Sequence, residues 1–222
     1  MKPRFSRQRN QALTLLEVVV AIAVLLVLST IFLSALTSAH KAKKIECDNN
    51  LKQIGLSYEV WAIDHYHKFP MQTSVADGGI KELFDHGSSL SQFVCLNYFV
   101  MAKELSTPKI LRCPEDTHGV MAANFSATFN NANISFFANP DADQMYPQTV
   151  LSGDDNFAIG SVPVSPGILN LPGKTPIVWT DERHGWIGNV GLADGSVLQL
   201  SAVGLQQAFQ PSGTNSIRLA IP

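Results

Sequence analysis

From Val18 to Leu28 the chain reads VVVAIAVLLVL without a polar side chain, and between Leu13 and Leu36 the one ionisable residue is Glu17. A run of this kind leaves few folds open. Its twenty-four residues, at about 1.5 Å each in a helix, reach roughly 36 Å, more than the about 30 Å of a bilayer core. Residues 13–36 are therefore expected to be a transmembrane helix. Lys2, Arg4, Arg7 and Arg9 precede the run and Lys41, Lys43 and Lys44 follow it. Because the basic leader abuts the span, the N-terminus is expected on the cytoplasmic side.

The sequence after Leu36 does not behave like the region behind a cleaved secretory signal, which changes character after a small-residue site. It continues with no glycine before Gly55 and no proline between Pro3 and Pro70. Ile45, Leu51, Ile54, Tyr58 and Trp61 recur at steps of six, three, four and three, which is the stripe of an amphipathic helix. One helix from Leu13 to Asp64 would be roughly 78 Å long by its rise per residue. The first half would lie in lipid and the second, within residues 37–66, would pack on a domain formed by residues 67–222. Glu17 is costly inside such a helix, the more so toward its centre. Either it sits at the interface or it pairs with a positive group, such as a free N-terminal amine on a neighbouring copy.

The formal net charge is −2, and the leader carries four positive charges, so the remainder carries −6. An acidic body offers no clustered cations for phosphates, and nucleic-acid binding is not indicated. Three cysteines, Cys47, Cys95 and Cys113, are too few for a disulfide scaffold and lack the paired knuckles of a zinc ribbon. If the body faces an oxidising compartment, one disulfide is expected, with Cys47 and Cys113 as the pair. The alternative is three buried thiols acting as small apolar side chains.

Within the body, KELFDHG from Lys81 and LSQFVCLNYFVMAKEL from Leu90 read as helices. Arg112 to Pro172, rich in Asn, Gly, Pro, Asp and Ser, reads as long loops with short strands, one near Ile134 to Ala138. Pro176 to Asp181 reads as a strand, and Trp186 to Leu200 as a hairpin turning at Asp194-Gly195. A short helix from Ser201 to Gln210 would use Ser201 as its cap. The fold class is thus α+β, a long N-terminal helix on a C-terminal antiparallel sheet. Trp61, Trp179 and Trp186 are expected to pack helix against sheet.

His184 with Asp181, Glu182 and Asp194 has the residue types of a metal or acid-base site, but a metal needs three or more converging ligands. The simpler reading is that His184 fixes the hairpin by hydrogen bonds and Asp194 is turn chemistry. His65 and His67 point apart at a helix end, with no third ligand evident. No Gly-rich phosphate loop, G-x-S-x-G elbow or H-E-x-x-H pair occurs, so no catalytic residue and no cofactor is expected. An anchored periplasmic hydrolase built on the His184 region is a rival reading for which the sequence suggests no substrate.

The string QALTLLEVVVAIAVLLVL resembles the prepilin cleavage and methylation motif, in which a basic leader ends in a small residue and the fifth mature residue is Glu. A cut after Ala12 makes Leu13 the new N-terminus and Glu17 the fifth residue; the motif more often has Gly and Phe where Ala12 and Leu13 stand. RHGWIGNVGLADGSVLQL resembles the H-x9-DG element, here His184, Asp194 and Gly195, of pseudopilin-like proteins numerous in planctomycetes and verrucomicrobia. ECDNNLKQIGLSYEVWAIDHYHKFP and ILRCPED are similar to other elements of that group. The resemblance implies a leader at residues 1–12 and a pilin-like fold. It also implies cleavage by prepilin peptidase, methylation at Leu13 and assembly through the N-terminal helix into a type II secretion or type IV pilus-like filament. The chain would be a single-pass inner-membrane protein with a periplasmic body and other pilin subunits as partners. Because major pseudopilins hold calcium in a C-terminal loop, the resemblance adds an oxygen-rich alternative at Asp181, Asn189 and Asp194. A rival of another class is a membrane-tethered binding or adhesion module that does not polymerise.

Overall fold

The computed structural model describes residues 14–85, 93–173, 175–209 and 216–222. The leader, Ala12 and Leu13 lie outside the described residues, as does part of the span expected over 13–36. Among the described residues no helix is long and apolar enough to cross a membrane. The chain divides into two units, residues 1–42 and 43–222.

Helix α1 runs from Leu15 to Asp64. In the first unit its side chains from Leu15 to Thr30 are exposed. Its start is a capping box. The Thr14 amide donates to Glu17 Oε2 at 2.8 Å, and the Glu17 amide donates to Thr14 Oγ1 at 3.3 Å, so a T-x-x-E string satisfies two donors that a helix end otherwise leaves bare.

In the second unit α1 contributes Cys47, Leu51, Ile54, Tyr58, Trp61 and Ala62 to the core. The steps of four, three, four and three from Cys47 to Trp61 keep one face inward. Ile45, expected on that stripe, is 61% exposed; the face enters the body at Cys47 instead. Three short helices follow in the chain: α2 (Lys81–Asp85), α3 (Phe93–Val100) and α4 (Ala102–Leu105).

Six strands make the main sheet: β1 (Phe136–Ala138), β2 (Val150–Asp154), β5 (Gly167–Pro172), β7 (Gly188–Leu192), β8 (Val197–Leu200) and β9 (Ser216–Ile221). Their order is β5-β9-β1-β2-β7-β8, with every pairing antiparallel. A smaller antiparallel sheet orders β4 (Val162–Pro163), β3 (Phe157–Ile159) and β6 (Ile177–Trp179). The central strands β2 and β7 are buried at every position, because both faces of the main sheet are covered.

Strand periodicity divides the core between those faces. Phe136 and Leu151 pack with α1 and α3, whereas Phe137 and Val150 pack with Trp179, Phe157 and the short helix α5 (Ala202–Ala208). Ser201 Oγ accepts from the Gly204 amide at 3.4 Å to cap α5. Trp61 and Trp179 are buried; Trp186 is 61% exposed and does not serve as packing between layers.

Candidate functional site

Two sequence neighbourhoods meet at one end of the main sheet. The first is Arg112-Cys113-Pro114-Glu115-Asp116. The Asp116 amide donates to the Cys113 carbonyl at 3.0 Å, a β-turn with proline at its second position, where its fixed φ fits. That turn sends Cys113, Glu115 and Asp116 inward. The second is Arg183-His184, where His184, Gly185 and Trp186 take φ of 54°, 63° and 64° in succession. Only glycine enters that region without cost, so His184 and Trp186 hold it because their surroundings do.

The two adjacent acids meet the two adjacent bases. Glu115 Oε2 lies 3.0 Å from His184 Nδ1 and accepts from the His184 amide at 3.0 Å. Asp116 Oδ2 lies 3.0 Å from Arg183 Nη2 and 3.2 Å from Arg112 Nη1, and accepts from Ser135 Oγ at 2.6 Å. Arg183 Nη1 also reaches Asp155 Oδ1 at 2.6 Å and donates to the Ser135 carbonyl at 3.0 Å. Arg112, Glu115, Arg183 and His184 are all buried. Pairing on this scale is what buried charge requires, since unpaired it is strongly destabilising.

Beyond the imidazole lies a compact group of donors. Cys47 of α1 is joined to Cys113 by a disulfide with a Cα–Cα distance of 5.0 Å. Cys95 is a free buried cysteine. His184 Nε2 is 3.4 Å from Cys113 Sγ and 3.6 Å from Asp154 Oδ2. Asp154 Oδ1 faces Cys47 Sγ at 3.6 Å, while Oδ2 accepts from the Asn189 amide at 2.7 Å and from Asn189 Nδ2 at 3.1 Å. Cys47, Cys113, Asp154 and His184 are each buried, and their ligand atoms lie within 4.8 Å of one another.

Burial sets the protonation states. It pushes the Asp154 carboxyl up to about 7, against the Asn189 amide and the Arg183 charge, and Asp155 up to about 6 against Arg183. Burial also lowers His184, against the pull of Glu115. Burial alone would raise Asp116, but Arg183, the Ser135 hydroxyl, the His118 amide and Arg112 outweigh it and hold that carboxyl below the usual range. The four are explained by desolvation set against specific partners.

The element from His184 to Gly195 fastens α1 at two points. At its start, Lys44 Nζ donates to the His184 carbonyl at 2.9 Å, beside the cysteine bridge from Cys47. At its end, Asp194 Oδ1 accepts from the Ser196 amide at 2.9 Å and from Ser196 Oγ at 2.6 Å, turning β7 into β8. Gly195 has φ +77°, and its Cα lies 3.0 Å from where a Cβ on Gly55 would stand. Cys47 and Gly55 are about 12 Å apart along the helix. Asp194 is therefore turn chemistry, and Gly195 supplies both a left-handed φ and a close approach.

The oxygen-rich trio is not assembled. Asn189 is committed to Asp154, and Asp194 to Ser196 and Gln148. Those two are five positions apart in mostly extended chain, roughly 16 Å at about 3.3 Å per residue, and Asp181 is exposed. Nor do His65 and His67 converge: His65 stacks on Trp61 with centroids 3.8 Å apart, and His67 Nδ1 lies 3.1 Å from Gln144 Oε1. Sequence reasoning missed Asp154, Glu115 and the arginine-aspartate network. The available signal was that Glu115-Asp116 and Arg183-His184 each set two ionisable side chains side by side.

Residues 7–33 match the model of the prokaryotic N-terminal methylation motif. Neither a curated protein nor a solved structure matches the chain.

Proposed function

We propose that this chain is a structural subunit of a type II secretion or type IV pilus-like filament. The observation that carries the reading is the motif over residues 7–33, with Glu17 fifth after the small residue Ala12 and an apolar run behind it. Prepilin peptidase cuts after Ala12, Leu13 becomes the N-terminus and receives a methyl group, and residues 13–36 hold the subunit in the inner membrane. The body faces the periplasm. The enzyme is the peptidase, and the chain itself is a building unit.

The capping box bears on how Glu17 can serve both before and after the cut. It needs only the Thr14 amide and hydroxyl, and both remain once residues 1–12 are gone. The carboxylate is exposed, so it holds the helix start in the free subunit and is still open to the amine of a neighbour, which would neutralise it in the apolar packing of a filament. Replacing Glu17 with Ala is expected to leave membrane insertion intact and to abolish assembly. Mass spectrometry of the mature N-terminus and filament yield are the two readouts. An intact Met1, or normal filaments from Glu17→Ala, would overturn the reading. Monomers that fail to crosslink through cysteines placed on neighbouring helices would favour a tethered binding module.

A further inference from the structure

We infer that Cys47, Cys113, His184 and Asp154 form a closed four-ligand site for a zinc-class divalent cation, available whenever the Cys47–Cys113 disulfide is reduced. The donor set comes first. Two sulfurs, an imidazole and a carboxylate, with ligand atoms within 4.8 Å of one another, suit a borderline-soft tetrahedral ion and do not suit calcium or magnesium, which take oxygen.

The supporting groups point the same way. Nδ1 of His184 stands 3.0 Å from Glu115 Oε2, and Nε2 on the other side of the ring faces Cys113 Sγ at 3.4 Å and Asp154 Oδ2 at 3.6 Å. A carboxylate beside the far nitrogen is the usual company of a metal-bound histidine. Asp154 is likewise held on Oδ2 by two donors from Asn189, leaving Oδ1 turned to Cys47 Sγ.

In the disulfide form the two sulfurs can accept but not donate, and Cys113 Sγ lies 3.4 Å from His184 Nε2. Neither sulfur bears hydrogen, and the 3.6 Å between Nε2 and Asp154 Oδ2 is too long for a hydrogen bond. Four atoms able to ligate a metal, two sulfurs, a nitrogen and an oxygen, are thus gathered within 4.8 Å of one another on buried residues. A disulfide by itself is content among apolar side chains; a ring of oriented donors around it is the surrounding of a cation. The four ligands come from α1, from the turn at Cys113, from the end of β2 and from the turn before β7, so every coordination position is supplied by protein and none is left for substrate. The role is structural.

Oxidation and loading exclude each other because they use the same two sulfur atoms. Reduction adds two electrons and two protons to the bridge; with a trialkylphosphine, the phosphine becomes its oxide and water supplies the oxygen and both protons. Binding of the ion then displaces the two thiol protons. At about 2.3 Å from a tetrahedral ion the two sulfurs would lie roughly 3.8 Å apart, so the side chains of Cys47 and Cys113 must part while α1 and the turn stay in place.

The test uses the full chain in nonionic detergent, reduced with a trialkylphosphine and titrated with cobalt(II). The expected result is one cobalt per chain, with the visible ligand-field bands of a tetrahedral ion and a thiolate-to-metal charge-transfer band, both bleached by zinc. The oxidised chain should show neither. Asp154→Asn and His184→Ala should each lose the tetrahedral bands, Cys95→Ser should keep them, and Glu115→Gln should bind on the order of 10- to 100-fold more weakly through misplacement of His184. Near-ultraviolet circular dichroism separates folding from ligation. Absence of tetrahedral bands in a reduced chain that keeps its fold overturns the inference, as does a reduced chain that unfolds and is not restored by zinc. Bands unchanged in both Asp154→Asn and His184→Ala would overturn it too.

Discussion

Arg183 is the side chain on which the buried network turns, and replacing it with Met tests how that network is held. Its guanidinium lies 3.0 Å from Asp116 and 2.6 Å from Asp155, and donates to the Ser135 carbonyl at 3.0 Å. Met preserves much of the stem and its packing while deleting the charge. Breaking a buried ion pair by removing one partner costs about 3–5 kcal/mol. Here one cation serves two acids, with Arg112 left to compensate only Asp116, so the upper end, about 5 kcal/mol, is expected. Against a total stability of about 5–15 kcal/mol for a domain, the variant would be near its threshold. Adding Asp116→Asn and Asp155→Asn removes the orphaned charges, and the triple variant should recover about 2 kcal/mol over Arg183→Met alone. Urea unfolding in nonionic detergent, followed by the fluorescence of buried Trp179, measures each corner of the cycle. A loss under about 1 kcal/mol, or substitutions that add within about 0.5 kcal/mol, would refute the view that the arginine and two aspartates act as a unit.

Asp116 carries a pH signature with a definite sign. Its carboxyl is held below the usual range in the folded chain, so the stability it contributes is present above its unfolded value of about 3.9 and is lost as pH falls through the lower folded value. Asp116→Asn should flatten that part of an acid-unfolding curve; an unchanged acid limb speaks against the assignment. Gly188→Ala should cost about 1–3 kcal/mol by overpacking, because its Cβ would stand 2.6 Å from two carbons of the Trp179 ring. Loss of near-ultraviolet dichroism from that tryptophan, together with a lowered urea midpoint, is the expected pair of signs, and a neutral substitution would show that the ring can move aside.

What could be read from the residues was local. The end of α1 at Asp64, the turn at Asp194-Gly195 and the cap at Ser201 follow from spacing, turn chemistry and capping, each settled within a few positions. The short strands were harder. The strands expected near Ile134 to Ala138 and over Pro176 to Asp181 form as β1 and β6, whereas β3 and β4, three and two residues long, are too short for periodicity to speak. β9 drew no expectation, although IRLAI contains the apolar residues that fill its place in the sheet. His184 was expected to fix the hairpin by hydrogen bonds, and Glu115, Asp116 and Arg183 drew no expectation of their own. Their burial depends on the turn at Cys113 meeting the turn at His184, a coincidence in space that neither string announces. The donor cluster was missed for the same reason, because Asp154 sits in VLSGD, an unremarkable strand sequence until Asn189, His184 and Cys47 surround it.

The place of β9 between β5 and β1 decides when this body can form. Ala138 pairs with Ala220, and Gly167 to Pro172 pair along the full length of the same strand, β9. Until Ser216 to Ile221 have been synthesised, β5 and the block β1-β2-β7-β8 each present an open backbone edge where β9 belongs. Edges of that kind invite pairing with other chains, and contacts made across so long a separation are slow to form. The body therefore cannot be laid down strand by strand as it leaves the ribosome. The sheet stays incomplete until β9 is in place, and removing Ser216–Ile221 would cut β5 off from the other strands.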